Sequence, residues 1–542
     1  MNNPRNALSA ILILLLLLAS GCSGSSGSVN EPAAADAAKQ EQAHEIIYAS
    51  SKDINDMNPH LYTGSMPAQG MVYESLVEKT EVGIKPLLAE SWDISEDGMS
   101  YTFHLRQGVK FHDGAPFNAE AVKLNIDAVQ ANAERHAWIK LSTKIKEVRA
   151  TDEYTVQLLL SEPYYPTLLE LSMTRPYVFL SPNDFINGQT KDGVAGYDGT
   201  GPYRLVDHKA EQAAVFEANE SYWGGAPKVK RITAKVLPSG ETTLLALQKG
   251  EVNFIFTDDR GADGVDIEAM QSLVDSGRYQ LLRSKPMNTK LIAANSSSVT
   301  SPVHEKAVRE ALWHAVDRET IAGQILHGAE APAYSLFSGN VEYADIPLAK
   351  RGYDLKHAAE LLENAGWKLE NGGETRLKKG RQLALKLYYD AASSSQKTEA
   401  ELIQSAAKTI GMKLELIGEQ SSSVAARRAS GDYDLLFNQT WGLAYDPQST
   451  VSAFTAESSY AHTTGGIEGV KELYAKIGEV TGSRDEEKRK ALYKEILTTV
   501  HDEAVFIPIT HGSMAVVAPI DLEGVAFKQT QFELPFELMH FK

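Results

Sequence analysis

The chain has 542 residues, of which 43% are hydrophobic and 23% are charged, values that are ordinary for soluble globular proteins. Because a single hydrophobic core stops growing at roughly 250–300 residues, this length predicts two or more lobes. The formal net charge of −18 argues against broad electrostatic binding of nucleic acid or anionic lipid.

The first 21 residues have the pattern of a secretory signal peptide. Arg5 supplies a positive charge, and the apolar run from Leu8 to Leu18 is followed by small residues. That run is shorter than the roughly 18–20 apolar residues that span a bilayer stably. The only cysteine, Cys22, follows Ala-Ser-Gly, which resembles the bacterial lipobox, although the usual leucine three residues earlier is Ala19. We therefore predict a lipoprotein signal peptide at residues 1–21 and lipidation of Cys22; the alternative is a plain secretory signal with a chance cysteine.

Residues 22–44 have the composition of a flexible tether. They are rich in Ser, Gly, Ala, Pro and charged residues and show no apolar periodicity. Several acyl chains on Cys22 would anchor the protein firmly to a membrane. The folded body is therefore expected to begin near Glu45, extracytoplasmic and close to the cell membrane. A single cysteine excludes intramolecular disulfides and CxxC metal sites.

Strand and helix patterns alternate along the first part of the body. An alternating segment at residues 45–50 predicts a buried strand, and MPAQGMVYESLVE, from Met66, has helical spacing. SYTFHLRQGVKFHDG predicts a strand, a turn at its Gln-Gly pair and a second short strand. Asn118 is a favoured N-cap residue, and we predict a long helix from there to about Trp138.

The same alternation continues towards the C-terminus. VRATDEYTVQLLL predicts a hairpin around Asp152, and YYPTLLELSM predicts a helix. LALKLYYD, a long helical segment and KLELIGE form a strand–helix–strand unit, which favours a parallel pair with a right-handed crossover. Together these patterns predict a mixed α/β fold in at least two lobes, with the ligand between them.

Sequence motifs of common enzymes are absent. The His-Glu pairs at His44 and His304 lack the second histidine of HExxH, and neither GxxxxGK[ST] nor GxSxG occurs. The 14 histidines do not cluster, and His104 and His112 flank a predicted hairpin turn. No segment offers the three protein ligands of a catalytic zinc. These absences favour a binding protein over an enzyme.

Several separated motifs occur in the order found in one protein family. They are NPHLYTGSMPAQGMVYESLV, LAESWDISEDGMSYTFHLRQGVKFHDGAPFNAEAV, GTGPYRL, NESYWGGAPKVKRI and DEAVFIPI. Their succession, from about Glu45 to the end, resembles the large extracytoplasmic solute-binding proteins of ABC importers, which handle dipeptides, oligopeptides and nickel. The resemblance implies an α/β two-lobed periplasmic-binding-protein clamp (class II, large peptide/nickel-binding type) with mixed sheets. It also implies lobe I at residues 45–285, lobe II at 286–510 and a return segment of lobe I at 511–542.

Within this family, the chain resembles the nickel branch. The resemblance rests on NPHLYT with a methionine shortly after it, RHAW, YYPTLLEL followed by MTRPYVF, and TWGLAYDP. It implies that a nickel ion is bound as a complex with a small metallophore, such as free histidine or a polycarboxylate. The implied ligand-binding residues are Tyr62, Met66 and Trp138 as walls, Arg135 and Arg175 as carboxylate partners, and Trp441 and Tyr445 closing from lobe II.

The chemistry of nickel fits such a site. Nickel prefers nitrogen and oxygen ligands in square-planar or octahedral arrangements, and scattered histidines without a usable thiol cannot build that shell alone. The planar fork of arginine can bind the carboxylates of a chelate, and aromatic rings can pack against the flat apolar edges of the chelate. In RHAW we therefore expect Arg135 and Trp138 to contact the ligand, whereas His136 points away on the helix.

Each of these residues also has a structural interpretation. Arg135 could stabilise a helix C-terminus, Arg175 could form a structural ion pair, and Trp441 could belong to the core. In the nickel branch, one histidine of a mobile loop of lobe II can reach the metal. His462, beside a Thr-Thr-Gly-Gly stretch, is the candidate metal ligand, and His511 near the lobe junction is the alternative.

The nickel interpretation implies partners and leaves two alternatives open. We expect ABC permease and ATPase subunits, a small-molecule metal chelate, the membrane through the lipid anchor, no nucleic acid and a monomeric chain. The runner-up is a dipeptide- or oligopeptide-binding protein, whose members usually place an aspartate a few residues after the tryptophan to pair with the peptide ammonium. The first acid after Trp441 is Asp446, so a buried ammonium would lack that partner. A receptor that senses or adheres is the other alternative.

Overall fold

The computed structural model describes residues 45–257, 267–370, 372–443, 445–456, 458–530 and 533–542. The predicted signal peptide, the lipidation site Cys22 and the predicted tether therefore lie outside the described residues. Across the residues that are described, no helix is long and apolar enough to cross a membrane.

The body of the chain begins in a four-stranded mixed sheet. Its first strand, Ile46–Ser50, buries alternate side chains near its start, as the sequence pattern predicts. It pairs in parallel with Arg231–Val236, which pairs antiparallel with Ala213–Ala218, and Tyr203–Lys209 forms the edge. The long insertion after the first strand carries the predicted helix, Met66–Val72, and a second sheet.

The second sheet is wholly antiparallel and has four strands. Their order across the sheet is Ala89–Ile94, Ser100–Leu105, Thr155–Leu160 and Ile145–Asp152. The last two form the predicted hairpin. The prediction of a second short strand after the Gln-Gly turn is wrong, because the residues there form only an isolated bridge between Lys110 and Pro116. The backbone there turns back on itself, since Phe111 N donates to the Ala115 carbonyl oxygen.

The largest sheet is built around two long antiparallel strands. Across it the strands are ordered Ile255–Phe256, Phe506–Pro519, Tyr279–Ala294, Leu435–Gln439, Ala384–Asp390 and Lys413–Glu419, with Ala331–Pro332 also paired to the second. The last two in this order are parallel and are joined by the helix Ser394–Thr409. The predicted strand–helix–strand unit is therefore confirmed.

Both predicted lobe crossovers fall inside the two long strands of this sheet. Residue 286 lies within Tyr279–Ala294 and residue 510 within Phe506–Pro519, and Pro286 is paired with Ser513. Register shifts flank Pro286 on both sides. The two connections therefore run side by side, while the lobe bounds themselves stay a prediction.

The RHAW motif begins on a short helix of its own, Ala133–His136, and continues past its end. The helix before it is capped by Asn118, whose side chain accepts a hydrogen bond from Ala121 N, as predicted. That helix ends at Gln130 and not near Trp138, because the chain leaves the helical conformation at Asn132 (φ −125°, ψ 36°). Asparagine is a poor residue for a helix interior because its side chain competes for backbone hydrogen bonds.

Helices of short to medium length connect the strands. In chain order they are Met66–Val72, Ala119–Gln130, Ala133–His136, Leu141–Lys144, Thr167–Leu171, Gly240–Lys249, Ile267–Asp275, Lys306–His314, Arg318–Thr320, the π-helical turn Ile321–Ile325, Leu355–Asn364, Ser394–Thr409, Ser421–Ser430, Gln448–Ser452, Ala461–Thr464, Val470–Gly482 and Glu486–Asp502. Small two-stranded sheets pair Val77–Thr80 with Gly83–Pro86, Phe185–Ile186 with Gln189–Val194, Leu377–Lys378 with Arg381–Gln382, and Leu522–Glu523 with His540–Phe541. Short 3-10 turns occur at Pro182–Asp184, Pro302–His304 and Phe536–Leu538.

The second sheet shares a hydrophobic core with the helix Ala119–Gln130. Phe103 from the sheet and Val122 from the helix are almost fully buried in it. Tyr445, from far later in the chain, belongs to the same core, and Trp441 packs at its edge. The fold thus brings the TWGLAYDP segment onto the region that carries RHAW.

Candidate functional site

The loop that carries Tyr62 is fixed by a buried arginine. Arg175, only 5% exposed, donates from Nη1 to the Gly64 carbonyl oxygen at 2.8 Å and to Gln69 Oε1 at 3.3 Å. Gly64 allows the loop to pack tightly, because a Cβ there would lie 2.6 Å from the backbone oxygen of Asp56. The guanidinium carbon of Arg175 also lies 5.2 Å from the Tyr62 ring centre. Arg175 thus holds the loop and the tyrosine together.

RHAW presents its side chains in two directions. The Tyr62 hydroxyl oxygen lies 2.6 Å from His136 Nδ1, and the ring centres of Tyr62 and Trp138 are 5.7 Å apart in a T-shaped contact. His136 is fully buried, whereas Arg135 and Trp138 are exposed, Trp138 by 38%. His136 therefore points inward, away from its two exposed neighbours, and its contact with Tyr62 is a feature that the sequence does not reveal.

Aromatic rings from two distant parts of the chain meet at this point. Trp138 stacks on Trp441 with ring centres 5.2 Å apart and planes 29° from parallel. Tyr445 approaches Trp441 to 6.2 Å and Trp138 to 6.4 Å. Offset and edge-to-face arrangements at these separations are favourable. We call Tyr62, Trp138, Trp441 and Tyr445 the aromatic cluster; all four are residues that the sequence predicts for the cleft.

Two arginines make the surroundings of Tyr62 cationic. Burial raises the pKa of Tyr62 to about 12, and the charges of Arg175 and Arg135 oppose the rise. The hydroxyl is therefore protonated at neutral pH. The Arg135 side chain is exposed, and within the described part of the chain no ion pair or hydrogen bond holds it. An anion placed beside Tyr62 would be attracted by both positive charges.

Asp446 closes the turn that carries Trp441. Its buried carboxyl group accepts hydrogen bonds from Gly442 N at 3.0 Å and from Thr450 Oγ1 at 2.5 Å. Gly442 has a φ of 94°, a backbone conformation that favours glycine. Burial raises the pKa of Asp446 to about 7, and these hydrogen bonds oppose the rise. The carboxyl group is thus engaged inside the turn, where it positions Trp441.

Met66 is the most buried of the side chains that the sequence predicts for one wall. It is the first residue of its helix, is 8% exposed and belongs to the same hydrophobic core as Tyr445. Its neighbour in the helix, Pro67, is well placed there because a first-turn proline has no hydrogen bond to lose. The structure therefore places Met66 in the core that supports the aromatic cluster.

The two predicted metal ligands lie in different surroundings. His462 is on a short helix, and its ring packs against Gly431, where a Cβ would lie 2.6 Å from Nδ1. His511 lies on a long strand, is 9% exposed, and has Nδ1 2.9 Å from Thr289 Oγ1. Burial lowers the pKa of His511 to about 4, so its imidazole is neutral at pH 7, the form that coordinates metals.

His511 is linked to the aromatic cluster through two threonines. Thr440 N donates to the Thr289 carbonyl oxygen at 2.9 Å, and Thr289 N donates to Thr440 Oγ1 at 3.1 Å. Thr440 directly precedes Trp441 in the chain. Within the described ranges, no three His, Cys, Asp or Glu side chains are arranged to hold a metal ion. Either histidine would therefore add a single ligand to a metal that arrives with ligands of its own.

Sequence reasoning misses three residues that hold this site together. Gly64 and Gln69 accept hydrogen bonds from Arg175, and His136 lies against Tyr62. Gln69 also donates from Nε2 to the Asn58 carbonyl oxygen at 3.2 Å, which ties the helix to the loop before it. A single Gly, Gln or His carries no sign of this role, because the role depends on residues far away in the chain.

The chain resembles bacterial binding proteins over almost its whole length. Residues 83–462 match the family described as "Bacterial extracellular solute-binding proteins, family 5 Middle". The chain is 38% identical over 497 residues to the nickel-binding periplasmic protein of Escherichia coli (strain K12), covering 91% of this chain and 94% of that protein. It is 26% identical over 512 residues to the dipeptide-binding protein of the same organism, covering 89% and 92%.

A solved structure supports the same relationship. NikA from Brucella suis, in complex with Fe(III)-EDTA, matches this chain with a TM-score of 0.88 and 38% sequence identity. The match covers 92% of this chain and 100% of that one. The predicted mixed α/β fold of the two-lobed peptide- and nickel-binding type is therefore confirmed.

Proposed function

Because this chain belongs to family 5 of the bacterial extracellular solute-binding proteins, we propose that it captures nickel outside the cytoplasm and delivers it to an ABC permease. The cargo is a chelate, in which a small metallophore such as histidine or a polycarboxylate surrounds the metal. Relatives of this chain are binding proteins, and the site described above has the character of a binding site rather than of a catalytic one.

One observation supports this proposal most strongly: the aromatic cluster lies beside two arginines, Arg175 and Arg135. Aromatic rings accept the flat apolar edges of a chelate, and guanidinium groups fork onto its carboxylates. A bare nickel ion would meet cations and apolar ring edges there, and like charges repel. The relative from Brucella suis is in complex with Fe(III)-EDTA, whose chelator is a polycarboxylate.

Calorimetry tests whether the protein binds the free nickel ion or its complex with a chelator. The full-length protein, in rigorously chelator-free buffer, should show weak heat with nickel chloride alone. Addition of L-histidine should give a much tighter isotherm, since the carboxylate of the chelate then meets Arg175 and Arg135. Equal, tight binding of nickel with and without histidine would contradict the proposal.

The protein itself is proposed to add one metal ligand, His462, with His511 as the alternative. His462 packs against Gly431, while His511 is connected through Thr289 and Thr440 to Trp441. Replacement of the true ligand by alanine should weaken binding of the nickel–histidine complex while its dependence on histidine persists. The matched variants are His462→Ala and His511→Ala, titrated side by side. If neither variant changes the affinity, the protein supplies no ligand and the chelator supplies them all.

A peptide-binding function is the second candidate, since the dipeptide-binding protein of Escherichia coli is 26% identical to this chain. A peptide receptor needs an acidic partner for the ligand ammonium, because a buried ammonium without one is costly. Asp446, the first acid after Trp441, is buried and accepts hydrogen bonds from Gly442 and Thr450. A panel of dipeptides in the same calorimeter separates the two functions, and micromolar binding of any of them would favour the peptide receptor.

The location of the protein is proposed from its first residues. We infer that Cys22 carries the lipid that holds the chain at the outer face of the cell membrane, where it acts as a monomer beside the permease and its ATPase. Cys22→Ala should release the protein into the medium or the periplasm, whereas Cys22 in the unaltered chain keeps it in the membrane fraction. Fractionation followed by immunoblotting measures this. A variant that stays with the membranes would show that the anchor assignment is wrong.

A further inference from the structure

His136 is buried beneath the aromatic cluster with one satisfied nitrogen and one unsatisfied nitrogen. Its Nδ1 lies 2.6 Å from the Tyr62 hydroxyl oxygen. Its Nε2 is buried and has no hydrogen-bond partner among the residues that the structure describes. Burial, with a contribution from the charge of Arg135, lowers the pKa of His136 to about 4. The ring is therefore neutral at pH 7 and carries one proton, on one of its two nitrogens.

The number of partners decides where that proton lies. On Nε2, the proton would form a buried N–H group without an acceptor, and such orphaned donors are rare and costly in folded proteins. On Nδ1, the proton is donated to the Tyr62 oxygen across 2.6 Å, and Nε2 keeps only a lone pair. The Nδ1–H tautomer is therefore the favoured one, and His136 is the donor in its bond with Tyr62.

The same reasoning fixes the direction of the Tyr62 hydroxyl group. The Tyr62 oxygen accepts the Nδ1–H of His136, so the hydrogen of the Tyr62 hydroxyl takes no part in that bond. That hydrogen is left to be donated to another acceptor. Tyr62 is only partly buried, its ring faces Arg175, and Trp138 beside it is exposed.

We propose that His136 is a positioning residue that holds the Tyr62 hydroxyl as a hydrogen-bond donor for a carboxylate of the bound chelate. This inference rests on the proposed function, because it concerns the same site. Arg175 and Arg135 attract a carboxylate by charge, whereas the Tyr62 hydroxyl adds a directed hydrogen bond that an amide in the same place accepts less strongly. The pair of Tyr62 and His136 thus selects chelators that bear a carboxylate at this position.

Two nickel complexes that differ in one group test the selection. L-Histidine and L-histidinamide both chelate nickel through amine and imidazole, but only histidine has a carboxylate. In the unaltered protein the affinity ratio of the two complexes should be large. In Tyr62→Phe and in His136→Leu it should fall by about tenfold, the worth of a hydrogen bond to a charged group. In His136→Asn, whose side-chain amide can replace the Nδ1–H donor, the ratio should be restored.

The ratio, rather than the affinity itself, is the decisive quantity. Partial unfolding of a variant lowers the apparent binding of both complexes equally and leaves their ratio unchanged. The double variant Tyr62→Phe/His136→Leu should lose no more selectivity than either single variant, because the two residues act through one hydrogen bond. A ratio in His136→Leu equal to that of the unaltered protein would overturn the proposal.

A measurement without ligand separates this inference from the proposed function. Nitrogen-15 NMR of the full-length protein labelled at histidine, with His136 identified by its loss in His136→Asn, reports which ring nitrogen carries the proton. The Nδ1–H tautomer is expected, and the Nε2–H tautomer would overturn the positioning role whatever the cargo is. Failure of the unaltered protein to bind either nickel complex would instead count against the proposed function, with the tautomer still measured.

Discussion

Two of the places where the proposed lobes touch differ in chemistry. In the aromatic cluster the contact is ring on ring, with Trp138 stacked on Trp441. At the second place, which we call the polar contact, the guanidinium carbon of Arg489 lies 3.6 Å from the centre of the Tyr165 ring. Each contact combines an exposed ring with a buried partner, since Trp138 and Tyr165 are both 38% exposed, whereas Tyr445 is 5% and Arg489 is 2% exposed. The two contacts therefore differ in their chemistry rather than in their exposure.

Hydrogen bonds of the polar contact end on the main chain. Arg484 Nη1 donates to the Ser95 carbonyl oxygen at 2.7 Å, and Tyr165 N donates to the Thr481 carbonyl oxygen at 3.0 Å. Main-chain carbonyl groups are present whatever the side chains are, so this contact joins the lobes without recognising a ligand. From this difference we expect recognition and closure to depend on separate surfaces, each of which can be altered alone.

The largest effect is expected at Arg175, which holds the loop and is proposed to bind the ligand as well. Arg175→Ala should cost about 2–5 kcal/mol of chelate binding, the range for removal of one partner of a buried charge pair. It should also lower the melting temperature, because Gly64 and Gln69 lose their donor. Calorimetry and thermal unfolding of the same sample measure the two effects.

Arg175→Lys is the matched control for that variant. Lysine keeps the positive charge but lacks the planar fork, so binding should recover only in part. Full recovery of chelate affinity with lysine would show that charge alone matters at this position. An unchanged melting temperature in Arg175→Ala would show that the hydrogen bonds to the loop contribute little to stability.

A pair of variants tests whether recognition and closure are separate. Trp441→Ala should cost about 2 kcal/mol of chelate binding, as for a central aromatic residue of a binding site. Arg489→Ala should instead lower the free energy of unfolding by about 2 kcal/mol through lost packing and leave the histidine-to-histidinamide affinity ratio unchanged. A changed ratio in Arg489→Ala would remove the distinction between the two contacts.

The last expected effect concerns stability alone and is a dependence on pH that originates at Asp446. Burial raises its pKa from an ordinary value of 3.8 to about 7, so the folded protein holds the proton more tightly than the unfolded chain. The resulting stabilisation is complete below about pH 4 and is lost as the pH rises through about 7.

Asp446→Asn isolates this contribution. Between pH 4 and pH 7 the unfolding free energy of the unaltered protein should fall about 3 kcal/mol further than that of the variant. Glu74 and Glu170, whose pKa values burial also raises, are present in both proteins and cancel in the difference. Denaturant unfolding at the two pH values measures it, and parallel pH profiles would show that Asp446 stays ionised in the folded protein.

Much of the fold follows from patterns that are local in the sequence. The strand at Ile46–Ser50, the cap at Asn118 and the unit around Ser394–Thr409 each have their own periodicity or capping residue. The end of the helix after Asn118 has no such local signal, because a single asparagine, Asn132, interrupts an apolar pattern that otherwise continues. Propensity alone assigns such an interruption only a small free energy.

The residues of the aromatic cluster could be predicted from sequence motifs, whereas the residues that hold the cluster in place could not. RHAW and TWGLAYDP resemble one family closely enough to indicate Trp138 and Trp441, which the structure brings together. His136 supports Tyr62 only because two segments 74 residues apart fold against each other. The polar contact has no side-chain signature either, since Ser95 takes part through its carbonyl oxygen.

The side-by-side course of the two long strands has a mechanical consequence. Tyr279–Ala294 and Phe506–Pro519 are hydrogen-bonded to each other across both proposed crossovers, so neither connection can bend without the other. Pro286 has no N–H to donate, and the register shifts on both sides of it. We therefore expect the two long strands to deform most easily at Pro286 and Ser513, and amide hydrogen exchange to be faster there than along the rest of the two strands. If the protein opens at these crossovers, we expect a rotation about an axis that passes near Pro286 and Ser513.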